Sequence, residues 1–279
     1  MADEGYREAS HEIWRAMAAG WDRERQWTWT FSRPVSEQML AALDPQPGQT
    51  ILELAAGPGE TGFAAARAVG SEGRLIQTDF APEMVEAARQ EAERLGLDNV
   101  ENRVMDAERM DLDDDSVDGV LCRWGYMLMA DWDAAMAETR RVLRDGGRLS
   151  LSVWGDPERN PWGSIPGRVL MEHMGGAPPD PGRPGIFALA DRERLGAVIR
   201  GGGFGEPRFE EVEVTVGFDD FDSAWRFLNE MAGAIAVALK AMSEADRDAV
   251  RSEIERQMEP FRSGGGLDLP GMTLNAVAE

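Results

Sequence analysis

Apolar residues come in short bursts through the first half of the chain, and the bursts alternate with stretches of helical spacing. Runs at 50–54, 75–79, 100–105, 117–122 and 148–154 read as strands, and apolar residues three and four apart lie between them. Strands joined by crossover helices are the pattern of a parallel, doubly wound α/β sheet. The helix after the second strand has Pro82 in its first turn, Met84, Val85, Ala88 and Leu95 on one face, and Gly96 as a stop. The helix before the fifth strand takes Asp131 as its N-cap and carries Trp132, Ala135, Met136, Val142 and Leu143, with Gly146 beyond its end.

Beyond Trp154 the texture changes. Pro157, Pro161, Pro166, Pro178, Pro179, Pro181 and Pro184 are interspersed with glycines up to Gly185, which predicts a loop-rich insertion. A helix over 191–200 ends in Gly201-Gly202-Gly203, and the alternation of Val212, Val214 and Val216 predicts a sixth strand over 209–216. Helices fill 222–261. One opens with a capping box at Ser243 to Asp246, carries Val250, Ile254 and Met258 on one face, and is followed by Ser263-Gly264-Gly265-Gly266. Alternation over 271–278 predicts a seventh strand. No internal repeat is visible.

Composition narrows the class. A chain of 279 residues, 43% hydrophobic, can bury one sizeable core with a cap. The formal charge of −22, from 51 acidic against 29 basic residues, repels phosphate backbones, so no nucleic-acid partner is expected. The charged N-terminus lacks the apolar core of a signal peptide, and the run 232–239 is too short to span a bilayer. A cytoplasmic protein with no membrane span is expected. The single cysteine, Cys122, excludes an internal disulfide and a cysteine-cluster metal site. The two histidines stand far apart, and the acidic run 111–118 lacks the glycine and closing glutamate of a calcium loop. No metal is expected.

The chemistry concentrates at Ile51-Leu-Glu-Leu-Ala-Ala-Gly57-Pro-Gly59-Glu-Thr-Gly62, an apolar strand ending in an acid, then a glycine turn opening a helix. Gly57 suits a tight turn, Gly59 a close approach of backbone to ligand, and Gly62 close packing of helix on strand. Asp79 follows Gly59 by 20 residues at the end of the second strand, where dinucleotide folds place a ribose-binding acid, so a nicotinamide cofactor is a rival reading. Two features separate them: Glu53 inside the motif, as E-x-A-x-G-x-G, and a second acid before a small residue, Asp106-Ala107, after the third strand. With Asp79-Phe80-Ala-Pro-Glu-Met84, the segment from Asp106 to Leu112, Ser116 to Arg123 and Arg140 to Leu149, residues 45–155 resemble the class I S-adenosylmethionine-dependent methyltransferases. Within them the chain is similar to the small-molecule branch of ubiquinone/menaquinone-biosynthesis and natural-product enzymes. Ala55 departs from the family's usual glycine.

The resemblance implies a Rossmann-like, mostly parallel sheet of seven strands, the last antiparallel between the fifth and sixth, with a helical cap and insertions. The chain divides into an N-terminal helical cap (1–44), a cofactor-binding α/β core (45–155), a Pro/Gly-rich substrate-loop insertion (156–187) and completion of the sheet (188–279) with a helical insertion (222–262). It implies S-adenosyl-L-methionine as cofactor, with Glu53, Ala55, Gly57 and Gly59 around its methionine part and Asp79 on the ribose. Phe80 and Met84 would flank the adenine, or equally be ordinary core residues, and Asp106 with the Ala107 backbone would read its amino edge. Cys122 and Arg123 end the fourth strand, at the edge where open α/β sheets bind ligands. Arg123 would meet a carboxylate there or form a surface salt bridge.

For the acceptor, Trp14, Trp21, Trp27, Trp29 and Phe31 suggest an aromatic lid or plain packing against the sheet. Trp124 and Tyr126 face the same edge, and Trp162 and His173 close the other side. Trp29, Trp124 and Tyr126 are the substrate candidates. An oxygen acceptor would benefit from a base, for which His11, Tyr126 and His173 are weak candidates. The resulting expectation is methyl transfer to the carbon or oxygen of a small apolar or aromatic acceptor such as a quinol, phenol or natural product, with a homodimer as a candidate assembly. The alternatives are an NAD(P)-dependent oxidoreductase and a non-catalytic cofactor-binding module.

Overall fold

The computed structural model describes residues 4–176, 180 and 182–279. Five strands pair in parallel: β1 (Thr50–Glu53), β2 (Arg74–Asp79), β3 (Val100–Val104), β4 (Val117–Arg123) and β5 (Leu143–Trp154). Then β6 (Arg208–Phe218), a two-residue β7 (Arg262–Ser263) and β8 (Gly266–Ala278) complete the sheet in the order β3-β2-β1-β4-β5-β8-β6. β8 runs antiparallel to both β5 and β6, and β7 folds back on it through Gly264 and Gly265, both at positive φ. The doubly wound sheet with its antiparallel last strand is thus the architecture. Its strand order reverses between β1 and β4, so the crevice lies above the carboxyl ends of those two strands.

Ten α-helices lie among the described residues: α1 (Glu4–Arg23), α2 (Arg25–Leu43), α3 (Glu60–Val69), α4 (Pro82–Arg94), α5 (Trp132–Val142), α6 (Pro161–Met174), α7 (Arg192–Gly201), α8 (Phe221–Glu230), α9 (Ala234–Ala241) and α10 (Glu244–Met258). Their starts follow from side-chain caps: Asp131, Asp191, Asp220 and Ser243 each accept the N–H three residues on. Their buried stripes keep the helical period, as with Met84, Ala88 and Ala92 on α4 and Val250, Ile254 and Met258 on α10.

Two expectations about the flanking regions need correction. The N-terminal helices are not one cap, because Phe31, Val35, Met39 and Leu43 of α2 are buried in the main core and the helix packs on β5, β6 and β8. Only α1 rises over the carboxyl edge, against α4. The insertion after Trp154 is not loop throughout. Pro161 starts α6, where its missing N–H is no loss, and Pro166 gives up a single helical hydrogen bond while the helix gains packing on α10 and β8. Pro178, Pro179 and Pro181 lie outside the described residues. No described helix is long and apolar enough to cross a membrane.

Candidate functional site

The turn after β1 is held by a polar network that runs across three strands. Glu53 is buried, with one carboxyl oxygen accepting the Gly62 N–H at 3.0 Å and the other the Gln77 amide at 2.7 Å. The same Gln77 nitrogen donates to the Gly59 carbonyl, while its oxygen accepts from Asn102 at 2.8 Å. Burial pushes the Glu53 carboxyl up to about 8, against the pull of Gln77 and the nearby Arg123 charge. The shift favours the protonated form near neutral pH. Gly57 and Gly59 have φ of 55° and 99°, and Ala55, with φ of 48°, is forced into the same left-handed region. A Cβ on Gly57 would meet nothing within 4 Å, whereas one on Gly59 would strike the Gln77 amide at 2.6 Å and the Phe63 ring at 2.8 Å. The open approach expected at Gly59 is at Gly57 instead. A Cβ on Gly62 would stand 2.2 Å from Glu53, so α3 packs on β1 and β2 only because that residue is glycine.

Asp79, at the end of β2, is buried and points both ways. One oxygen accepts the Gly57 N–H at 3.0 Å and the other the Ala81 N–H at 2.9 Å, which ties the glycine turn to the start of α4. Desolvation raises its pKa, and those backbone bonds oppose the rise. Beside it, α1 forms a roof. Met84 is buried with Ala18 and Ala81 beneath Trp14, Trp21 and Phe80, and the His11 ring stacks on Phe80 at 4.2 Å and 5°. One face of Phe80 is therefore covered. Asp106 accepts the Glu108 N–H and lies 3.8 Å from Arg7, which also pairs with Glu108; Ala107 packs at the core's edge. Arg7 was not signalled in the sequence, where it is one arginine among many.

The ends of β4 and β5 form the other wall. Cys122 is fully buried, and burial pushes its thiol up to about 12, so it is a packing residue rather than a nucleophile. Arg123 is not on the surface: its side chain is 9% exposed, donates from Nε to Thr61 at 2.9 Å, and lies over the Trp124 ring at 4.6 Å. Trp124, at φ of 61°, continues a stack with Phe31 at 6.0 Å and Trp154 at 4.4 Å, and Trp162 follows at 4.6 Å from Trp154. Trp27 and Phe31 are thus part of the main core, while Trp14 and Trp21 belong to the roof.

Several candidates are corrected by their surroundings. Tyr126 is buried against α5, bonded to Thr139 at 2.5 Å, and its pKa lies well above 10, so it can serve neither as a base nor as an acceptor contact. It turned inward because the chain forms a 3₁₀ turn at 126–128 after the strained Trp124. His173 sits near the end of α6, 3.2 Å from Asp246 of α10, in a contact between helices of the insertion. Trp29 is half-buried on α2, outside both apolar clusters. Gln77, Asn102 and Thr61 were missed. For Gln77 the signal was a polar residue inside a strand that should be apolar on both faces, Arg74-Leu-Ile-Gln-Thr-Asp79; Asn102 on the edge strand β3 and Thr61 in the first turn of α3 carried no such signal. Among the described residues no cluster of His, Cys, Asp and Glu could hold a metal ion.

Comparison with known proteins agrees with this geometry. Residues 51–147 match the model of a methyltransferase domain. The chain is 29% identical over 248 residues to Nocamycin O-methyltransferase of Saccharothrix syringae, covering 85% of this chain and 87% of that protein. It is 36% identical over 113 residues to a ubiquinone/menaquinone biosynthesis C-methyltransferase UbiE of Acidiphilium cryptum, covering 40% of this chain and 45% of that one. Most curated relatives are spanned over about half their length or less. Among solved structures, the YcgJ protein from Bacillus subtilis shares the fold, with a TM-score of 0.56 at 20% identity over 87% of this chain and 97% of that one.

Proposed function

The chain belongs to the class I S-adenosylmethionine-dependent methyltransferases, and from that premise we propose that it methylates the carbon or oxygen of a small apolar or aromatic acceptor. The observation that carries this reading is one rim with two kinds of wall: the acid-flanked glycine turn of β1 and β2, and the indole stack of β4 and β5. When bound, the cofactor supplies an electrophilic methyl group on a sulfonium.

The residues present fit such a ligand. Gly57 leaves its flank open, and each Asp79 oxygen spends one lone pair on a backbone N–H and keeps another for a ribose hydroxyl. Glu53 lies under the turn, where its carboxyl would order the amino group of the methionine part. Phe80 and Met84 support the adenine side, and Asp106 with Ala107 its far edge. Trp124, carried on the strained end of β4, lines the acceptor side with Phe31 and Trp154.

Much of the work of such a site is alignment, since methyl transfer needs donor and nucleophile held in line at near-contact distance. The aromatic wall excludes water and orients a flat acceptor. With Tyr126 buried, His173 on the insertion and the His11 ring stacked on Phe80 at the adenine side, no side chain is assigned as base.

Thermal melting tests the cofactor: S-adenosylhomocysteine should raise the melting temperature and NAD(H) and NADP(H) should not. Incubation with S-adenosylmethionine and a panel of quinols, phenols and aromatic acids should then give a product heavier by one methyl in mass spectra. Stabilisation by a nicotinamide cofactor alone would overturn the proposal.

A further inference from the structure

Arg123 is a guanidinium with five N–H donors in a place almost closed to water, its side chain 9% exposed. It makes one hydrogen bond, from Nε to Thr61, whose hydroxyl is in turn bonded to Ser36 of α2. Its Nη2 stands 3.9 Å from Glu60, too far to donate, and its Nη1 is buried with no partner at all. Buried polar groups are nearly always paired, and an unpaired charged donor is the costliest exception.

Nor is it alone. The Trp124 indole N–H, whose ring lies under this guanidinium, is buried and unpartnered, and so is the hydroxyl of Ser152, the residue paired with Arg123 across β4 and β5. On the facing helix, Thr28 and Ser32 bury unpartnered hydroxyls on either side of Phe31, which stacks on Trp124. Side chains from three elements thus leave polar atoms unused around one aromatic wall. The nearest acid is Glu60, which lies within salt-bridge reach of both Arg25 and Arg123 and has an oxygen, Oε1, that is itself buried without a hydrogen-bond partner; burial raises the pKa of Glu60 and of Glu53, which works against a full negative charge on either. Asp22, the other partner of Arg25, is half exposed and solvated.

We propose that Arg123 Nη1 and Trp124 Nε1 bind an anionic oxygen of the acceptor, which is therefore an acidic molecule: a carboxylic acid, or an enol or phenol of comparable acidity, on an aromatic frame. This rests on the methyltransferase reading and deepens it. For methylation at oxygen, an acceptor that binds already ionised has no proton left for the enzyme to remove, so such a site needs no base.

The test uses the full chain saturated with S-adenosylhomocysteine, titrated with 2-naphthoate and its neutral counterpart 2-naphthamide, followed by tryptophan fluorescence and calorimetry. Naphthoate should bind about tenfold or more tightly than naphthamide, the scale of one charge-assisted hydrogen bond. Arg123→Gln should remove that preference and leave S-adenosylhomocysteine affinity within about threefold, and Arg123→Lys should restore part of it. Trp124→Phe keeps the ring stack, loses the N–H, and should weaken naphthoate about threefold or more without touching naphthamide; it decides the matter if Arg123→Gln does not fold. Equal affinity for the two ligands overturns the inference. So does a loss of S-adenosylhomocysteine affinity in Arg123→Gln, which would give the guanidinium to the cofactor's own carboxylate. Failure of the parent protein to bind S-adenosylhomocysteine would instead sink the methyltransferase reading itself.

Discussion

The two walls of the rim treat buried polar groups in opposite ways. On the side of β1, β2 and β3, Glu53, Gln77, Asn102 and Asp79 spend their hydrogen bonds on one another and on the backbone of the glycine turn. On the side of β4, β5 and α2, Thr28, Ser32, Arg123, Trp124 and Ser152 bury polar atoms with no partner. A paired network holds its shape without a ligand, and an unpaired one carries a free-energy cost that a ligand relieves. The first wall is thus preformed, and the second is the one a ligand would change most.

The sharpest way to break the preformed wall is to overfill it. Gly62→Ala would push a methyl to 2.2 Å from Glu53 and 2.7 Å from the Gln77 amide, both fixed by their own hydrogen bonds, so neither can swing aside. The expected loss is about 3 kcal/mol, at the upper end for overpacking, read as a lower midpoint in urea unfolding. A change under about 0.5 kcal/mol, the range of ordinary surface substitutions, would mean that the network yields and is not preformed. Asp79→Ala comes next. It should weaken S-adenosylhomocysteine binding by about 2 kcal/mol, the range for hydrogen bonds to a charged group, in calorimetry. An unchanged affinity would remove the ribose role and leave Asp79 as a clamp between Gly57 and Ala81.

These contrasts also explain what was legible in the sequence. The core strands could be placed to within a few residues, because parallel strands buried on both faces read as apolar runs and their helices carry caps and glycine stops. β6 and β8 run longer than the alternation suggested, because they pair with each other from Arg208 and Val277 as far as Phe218 and Leu267, past the stretch in which apolar and polar residues alternate. Glu53, Asp79 and Gly57 were readable because short spacings fix them. Arg123 was visible at the end of β4, yet its burial depends on α2 and α3, which reach it from 62 or more residues away in the chain. Tyr126 misled for a related reason: one strained residue, Trp124, turned the chain and sent the tyrosine into α5.

Glu53 sharpens the comparison through pH. Its folded pKa of about 8 stands above the ordinary 4.5, so its contribution to stability is full below about pH 4.5 and is lost as pH rises through 8. Glu53→Gln mimics the protonated acid, and the stability difference between variant and parent should therefore grow in the variant's favour with alkaline pH. If the carboxyl meets the cofactor's ammonium group, binding near neutral pH ionises it and releases up to about one proton. Calorimetry in buffers of different ionisation enthalpy would count that proton, and Glu53→Gln should abolish its release while weakening binding by about 1 kcal/mol. No proton release in the parent would leave Glu53 as a purely structural member of its network.

Ala55 offers the smallest effect and the finest discrimination. Its φ of 48° puts an L-residue in the left-handed region, a strain of about 1–2 kcal/mol, and Gly there would remove it. Glycine's freer unfolded chain takes back about 0.4–1 kcal/mol, so Ala55→Gly should stabilise the fold by only about 0.5 kcal/mol. The alanine methyl also bears on the other wall, because a Cβ on Gly125 would come within 2.6 Å of it and of Cys122. Ala55 is thus the point at which the glycine turn touches the loop that carries Trp124. If the two walls act independently, Ala55→Gly changes stability and leaves both S-adenosylhomocysteine and naphthoate affinities alone. A variant that binds S-adenosylhomocysteine unchanged but shifts naphthoate by severalfold would show that the turn positions Trp124 through this contact, and that the preformed wall sets the shape of the unpaired one.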